Sequence, residues 1–146
     1  MCKDILISLR PEHSDDILSG RKTVELRRRP VRVDPGTRVW LYTKLPRGSV
    51  NAFAIVDAVY EGSQEELWEQ FGDKVAISRT DFDEYMDGMC TGCAIVFRSV
   101  APLCRAVQLR EIRQRVKTFH PPQFFKKLLP DSKELALLLN MQVKES

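Results

Sequence analysis

A chain of 146 residues with 43% hydrophobic and 29% charged content matches one globular domain with a sizeable core. No run approaches 18 apolar residues and Met1-Cys2-Lys3-Asp4 opens no apolar leader, so a cytoplasmic chain with no membrane partner is expected. The net charge of +3 is unevenly spread: residues 1–60 carry 11 Lys/Arg against 7 Asp/Glu, residues 61–90 carry 2 against 9, and residues 91–146 carry 10 against 4. The basic segments are candidates for phosphate contact, and the acidic middle would repel a polyanion.

Residues 5–9 (Ile-Leu-Ile-Ser-Leu) read as a short strand. Pro11 and Glu12 begin a helix over 11–19, and Gly20 supplies its left-handed stop. Over residues 23–28 the apolar period drops to two, with Val24 and Leu26 on one face and Thr23, Glu25 and Arg27 on the other. Glu25 and Arg27 should therefore project together from a polar face, with Lys22 at its mouth. Arg28, in phase with Val24 and Leu26, marks the strand's end. On such a face, Lys22→Ala or Glu25→Gln should change stability by no more than about 1 kcal/mol.

Asp34-Pro35-Gly36 has the proline and glycine positions of a type II turn. A strand over 38–42 follows, in which Trp40 and Tyr42 alternate with Val39 and Leu41; one pair is expected to line a cleft. Pro46-Arg47-Gly48-Ser49 turns the chain into a long strand pattern over 52–60. Ser63-x-x-Glu66 is a capping box, opening a helix through Leu67, Trp68 and Phe71. Thr80-x-x-Asp83 opens another, with Phe82, Tyr85 and Met86 as its apolar face. Residues 94–97 and 103–108 return to strand, Pro122 starts a helix that ends before Pro130, and Ser132 begins a final helix over 132–139. Five or six short strands without regular crossover helices point to an α+β fold built on a small mixed β-barrel, a single domain over 1–146.

Cys2, Cys90, Cys93 and Cys104 read as reduced thiols. Cys90-Thr-Gly-Cys93 has metal-ligand spacing but supplies half a zinc site, so no metal is assigned. No phosphate-binding loop, dinucleotide fingerprint or nucleophile elbow is present, and no cofactor is assigned. His13 and His120 are the acid–base candidates, and His120, in a loop before Pro121 and Pro122, draws more interest.

Ile7-Ser8-Leu9-Arg10-Pro11 followed by Gly20-x-Lys22-x-x-Glu25-x-Arg27 resembles the ASCH domain, a branch of the PUA-like β-barrels. Trp40-Leu41-Tyr42-Thr43-Lys44-Leu45-Pro46, then Gly92-Cys93-Ala94-Ile95, then Pro121-Pro122-Gln123-Phe124 continue the likeness in the same order, over roughly residues 5 to 125. The resemblance implies a PUA-like barrel with peripheral helices and a link to RNA, chiefly as a binding module.

The expected function is binding of RNA or a nucleotide-like ligand in a cleft, with a regulatory role. Lys22 and Glu25 stand at its centre, and Arg10, Arg27, Arg28, Tyr42, Thr43 and Lys44 lie around it. If the chain is an enzyme, Lys22 and Glu25 are the catalytic pair. One branch of the family is similar to an acetylcytidine amidohydrolase using a lysine, a threonine three positions later and a distant glutamate. Lys22 matches, Glu25 replaces the threonine, and Asp73 or Glu84 falls in the region of the distant acid. Two further classes stand beside these: a ribonuclease built on a charge cluster, and a protein-interaction module in a transcription complex, for which the acidic helices speak.

Overall fold

The structure, a computed structural model, describes residues 3–142; Cys2 lies outside that range. The chain runs β1 (Asp4–Leu9), α1 (Pro11–Leu18), β2 (Val24–Arg27), β3 (Arg38–Thr43), β4 (Ser49–Gly62), α2 (Gln64–Phe71), α3 (Arg79–Met86), β5 (Gly92–Gln108), α4 (Leu109–Arg115), β6 (Phe125–Lys127) and α5 (Lys133–Leu139). All six strands form one mixed sheet in the order β2-β5-β4-β3-β1-β6. Every pairing is antiparallel except β1 with β3. The long β4–β5 ladder has register shifts near Val50, Ile55 and Val56, and such bulges increase local twist and bend the sheet. The result is a half-barrel with helices at its periphery.

Alternation along the strands divides the interior. Ile5, Ile7 and Leu9 join Val39, Leu41, Ala52, Ala54 and Ile95 in the core enclosed by the sheet, with Ile17 of α1 packed among them. Leu6, Trp40, Tyr42 and Val50 face the other way, against Ile112 of α4 and the leucines of α5. Val24, Leu26 and Ala94 form a third core with Phe71 of α2 and Phe82 and Met86 of α3. Neither pair on β3 lines a cleft, contrary to expectation, since each is committed to a different core. Trp40 is fully buried, and its indole N–H donates to Asp4 Oδ1 at 2.9 Å. The Arg38 guanidinium grips the same carboxylate through Nε at 2.7 Å and Nη2 at 3.1 Å.

The local signals are mostly realised. Gly20 and Gly36 take positive φ of 83° and 89° at the stop and turn that needed them. The capping box of α2 is complete, with Ser63 Oγ accepting from the Glu66 N–H and the Glu66 carboxylate accepting from the Ser63 N–H. Three readings change. α3 is capped by Ser78, whose Oγ accepts from the Asp81 N–H, so it starts before Thr80. The two expected strands at 94–97 and 103–108 are one strand, because Pro102 sits opposite Ala52 beside a register shift in β4. No helix forms after Pro122: residues 125–127 pair with β1 instead, and Ser8 Oγ donates to the Pro122 carbonyl at 2.7 Å. The edge of β1 is a stronger competitor than a proline at a helix start.

Removing the Asp4 carboxylate leaves a buried indole N–H and a half-buried guanidinium without their shared acceptor. Asp4→Ala should lower the unfolding free energy by about 3 kcal/mol. Urea denaturation monitored by tryptophan fluorescence checks it, and a loss under about 0.5 kcal/mol would be contrary.

Candidate functional site

β2 and β6 are the two ends of the sheet, yet β2 does not hydrogen-bond to β1 or β6 through its backbone. Arg27 spans the gap with its side chain. Its Nη2 donates to the Ser8 carbonyl of β1 at 3.1 Å, and its Nη1 to the Phe124 carbonyl just before β6 at 3.1 Å. A rigid planar fork suits this role, because one side chain reaches two carbonyls and a carboxylate at once. Its Nε lies 3.0 Å from Glu25 Oε2. The other carboxylate oxygen, Oε1, is 2.9 Å from Lys22 Nζ.

All three charged residues are buried, with exposures of 4% for Lys22, 5% for Glu25 and 8% for Arg27. The expected exposed polar face is corrected here. Glu25 and Arg27 pair in register with Ile95 and Cys93, so the face opposite Val24 and Leu26 turns into the half-barrel rather than to solvent. The expected small cost of replacing Lys22 or Glu25 is corrected with it, since stranding one charge of a buried cluster costs about 3–5 kcal/mol. Burial is the largest influence on the Glu25 carboxyl and pushes its pKa up. The charges of Lys22 and Arg27 together outweigh it and hold the group below its ordinary 4.5.

Above this cluster lies an open cleft of about 810 Å³. Arg10 and Lys44 flank it because β1 and β3 run parallel and end together, where the Lys44 N–H donates to the Leu9 carbonyl at 2.8 Å. Lys22, Glu25 and Arg27 form its floor. The opposite wall is α3 and the loop before it, with Ile77, Asp81, Glu84 and Tyr85. Glu12, His13 and Asp16 of α1 and Gln123 complete the lining. The cleft is thus polarised, with cations at the strand ends and acids on the helical side.

Three expected site residues lie outside the lining. Arg28 is exposed and donates to the Asp87 carbonyl at 3.0 Å, because its phase turns it away from the half-barrel. Tyr42 belongs to the core beneath α4 and α5. Thr43 is fully buried under α1, where its hydroxyl is 2.6 Å from Ser14 Oγ and donates to Asn51 Oδ1 at 3.3 Å. Of the two distant acids considered, Glu84 reaches the cleft, whereas Asp73 lines a separate surface beside Trp68.

The histidines exchange places as well. His120 is exposed beside Arg113, while His13 lines the cleft with its Nδ1 buried and lacking a hydrogen-bond partner among the described residues. Burial, followed by the Lys22 ammonium, lowers the His13 pKa from its ordinary 6.5, leaving a neutral imidazole near pH 7. Tyr85, read as part of an apolar helix face, instead borders the cleft and donates to the Leu26 carbonyl at 3.2 Å. Burial and the nearby Glu25 charge raise its phenol pKa. Its signal was weak but present, because a hydroxyl set between Phe82 and Met86 suits a boundary position better than a core one.

Cys93 is buried, and burial raises its thiol pKa while its Sγ accepts from the Val31 N–H; Cys90 is exposed. Among the described residues no group of three or more His, Cys, Asp or Glu is placed to hold a metal ion. No helix among them is long and apolar enough to cross a membrane.

The mixed six-stranded half-barrel with peripheral helices is a PUA-like fold. No family model matches the chain. A curated relative from Zymomonas mobilis, named an ASCH domain-containing ribonuclease, is 32% identical over 141 residues, covering 97% of this chain and 95% of the relative. The crystal structure of ASCH from the same organism matches with a TM-score of 0.89 at 32% identity, covering 97% of this chain and 99% of that one. Human THYN1, in a crystal structure with 5-methylcytosine containing DNA, matches at TM-score 0.57 and 13% identity over 98% of this chain and 99% of its own, a likeness of fold. The chain belongs to the ASCH family.

The two shifted groups give the site a pH signature of known sign. Both folded-state pKa values are depressed, so each group's contribution to stability is present above its ordinary value and lost on acidification through the folded one. Stability should fall first below about pH 6.5, as His13 resists protonation, and again below about 4.5 as Glu25 is forced to protonate. Urea denaturation at a series of pH values checks this. His13→Gln should remove the first step and leave the second, and an unchanged first step would count against the assignment.

Proposed function

We propose that this chain binds single-stranded RNA, seating one nucleotide in the cleft. The observation that carries the reading is the buried Lys22 ammonium in the cleft floor. Glu25 takes one of its three N–H donors, which leaves donors for an acceptor on a ligand. The polarity of the walls supports a nucleotide rather than a simple anion. Arg10 and Lys44 suit a phosphate at the strand ends, and Asp81 and Glu84 suit the amino edge of a base on the α3 side. Tyr85 offers an aromatic face beside them, as RNA sites do for unstacked bases. The cytoplasm is the compartment in which such a ligand is expected.

A second reading, cleavage of the bound RNA, is favoured by His13 and by the ribonuclease name of the relative. A neutral imidazole in the cleft wall is a competent general base for the 2′-hydroxyl, and Lys22 would stabilise charge developing on the attacked phosphate. The acetylcytidine amidohydrolase reading is weaker, because Glu25 at the threonine position is held ionised by two cations and supplies no hydroxyl.

The test uses a fluorescent ten-nucleotide RNA, a quenched version of it, and EDTA in the buffer. Arg10→Glu with Lys44→Glu should weaken binding at least tenfold with the melting temperature unchanged. His13→Gln should abolish cleavage and retain binding. Wild-type affinity in the charge-reversed variant would overturn the cleft reading, and undiminished cleavage by His13→Gln would overturn the second.

A further inference from the structure

The cleft cannot hold a polyanion by charge alone. Its lining carries the four cations Arg10, Lys22, Arg27 and Lys44 against the five acids Glu12, Asp16, Glu25, Asp81 and Glu84. Two of those cations are already engaged with Glu25. A chain of phosphates entering this cleft therefore needs cations elsewhere. Residues 109–127 supply them, with six Lys/Arg against the single acid Glu111. That acid is occupied: its carboxylate pairs with Arg105 at 2.9 Å and caps α4.

The same segment connects physically to the cleft. Arg113 of α4 donates through Nε to the Phe119 carbonyl at 3.1 Å, and its Nη2 lies 3.4 Å from His120 Nδ1. Lys126 of β6 places its ammonium 4.8 Å from the centroid of the Phe119 ring. Arg110 is three residues before Arg113 and shares its helix face, and Lys117 follows directly after the helix; both are exposed. From His120 the chain runs through Pro121 and Pro122 to Gln123, which lines the cleft. Three residues span at most about 11 Å, so the basic face begins within a short step of the cleft.

We propose that the α4–β6 face is a phosphate track for the strand leaving the cleft, with Arg110, Arg113, Lys117 and Lys126 as its cations. Its occupant is the backbone of single-stranded RNA. The proposal rests on the reading that one nucleotide of that RNA sits in the cleft. Base identity is read in the cleft, where acids and an aromatic ring stand, and affinity comes from the track. This separation of roles follows the general division between contacts that position a nucleic acid and contacts that specify it.

The test compares a ten-nucleotide single-stranded RNA with a mononucleotide as probes. Arg110→Gln with Lys117→Gln removes two exposed cations that make no side-chain hydrogen bond or ion pair among the described residues, and a triple variant adds Arg113→Gln. The double variant should bind the ten-mer at least fivefold more weakly at low salt. Two lost phosphate contacts should also reduce the slope of log affinity against log salt by about 1.4. Its affinity for the mononucleotide should be that of the wild type. A ten-mer affinity and salt slope equal to wild type in both variants would overturn the track.

The cleft is tested separately with Arg10→Gln and Lys44→Gln. If that pair leaves mononucleotide binding intact while the track variants lose the ten-mer, the α4–β6 face still binds the RNA backbone, but the cleft reading falls and with it the track's origin in the cleft. Wild-type binding to phosphatidylserine vesicles but not to the ten-mer, lost in the track variants, would assign the face to a membrane and overturn the proposal.

Discussion

A sheet of six strands in the order β2-β5-β4-β3-β1-β6 has two free ends, and in this protein one guanidinium holds them together. Arg27 does with a side chain what a closed barrel does with a backbone ladder. The substitution has a geometric consequence. A ladder would bring β2 against β6 at the usual strand spacing of about 4.8 Å and leave no room between the sheet ends. A bridging side chain keeps the ends associated yet apart, and the space above the bridge is the cleft. The site is a product of incomplete closure.

The same arrangement explains why an acid sits on the cleft floor. A guanidinium and an ammonium buried side by side would repel each other and lack counter-charge. Glu25 gives each carboxylate oxygen to one cation, Oε1 to Lys22 and Oε2 to Arg27. It thereby supplies the counter-charge for both buried cations. A carboxylate in the floor opposes a ligand that is phosphate alone, and the proposed nucleotide would put its phosphate at the exposed Arg10 and Lys44. Stability and the proposed ligand chemistry thus draw on one cluster, and substitutions there should alter both.

Much of this organisation was legible in the chain. Period-two alternation put Glu25 and Arg27 on one side of β2, and the spacing from Lys22 put an ammonium beside them. The parallel ends of Arg10 and Lys44 could be guessed from two strands that each end in a cation. What could not be read was which side of β2 faced inward, because both are buried: Val24 and Leu26 against α2 and α3, Glu25 and Arg27 in the half-barrel. Strand alternation distinguishes two faces without saying that either is wet. Tyr42 and Thr43 misled for the same reason, since a strand packed on both sides carries polar groups that serve its cores. The place of α3 over the cleft was legible only through the family resemblance, which offered Glu84 beside Asp73 as a distant acid. Nothing local says that Glu84 and Tyr85 hang over a lysine more than 60 positions earlier, and the choice between His13 and His120 was decided by that same long-range packing.

The central claim, that Arg27 fastens the two ends of the sheet, is tested most directly by amide hydrogen exchange in Arg27→Lys. Lysine keeps the charge beside Glu25 but cannot span two carbonyls and a carboxylate. Protection should fall at least tenfold in residues 24–27 and 125–127, the two sheet ends, while the β3–β4–β5 centre keeps wild-type protection. A uniform loss across the sheet, or no loss at its ends, would contradict the account.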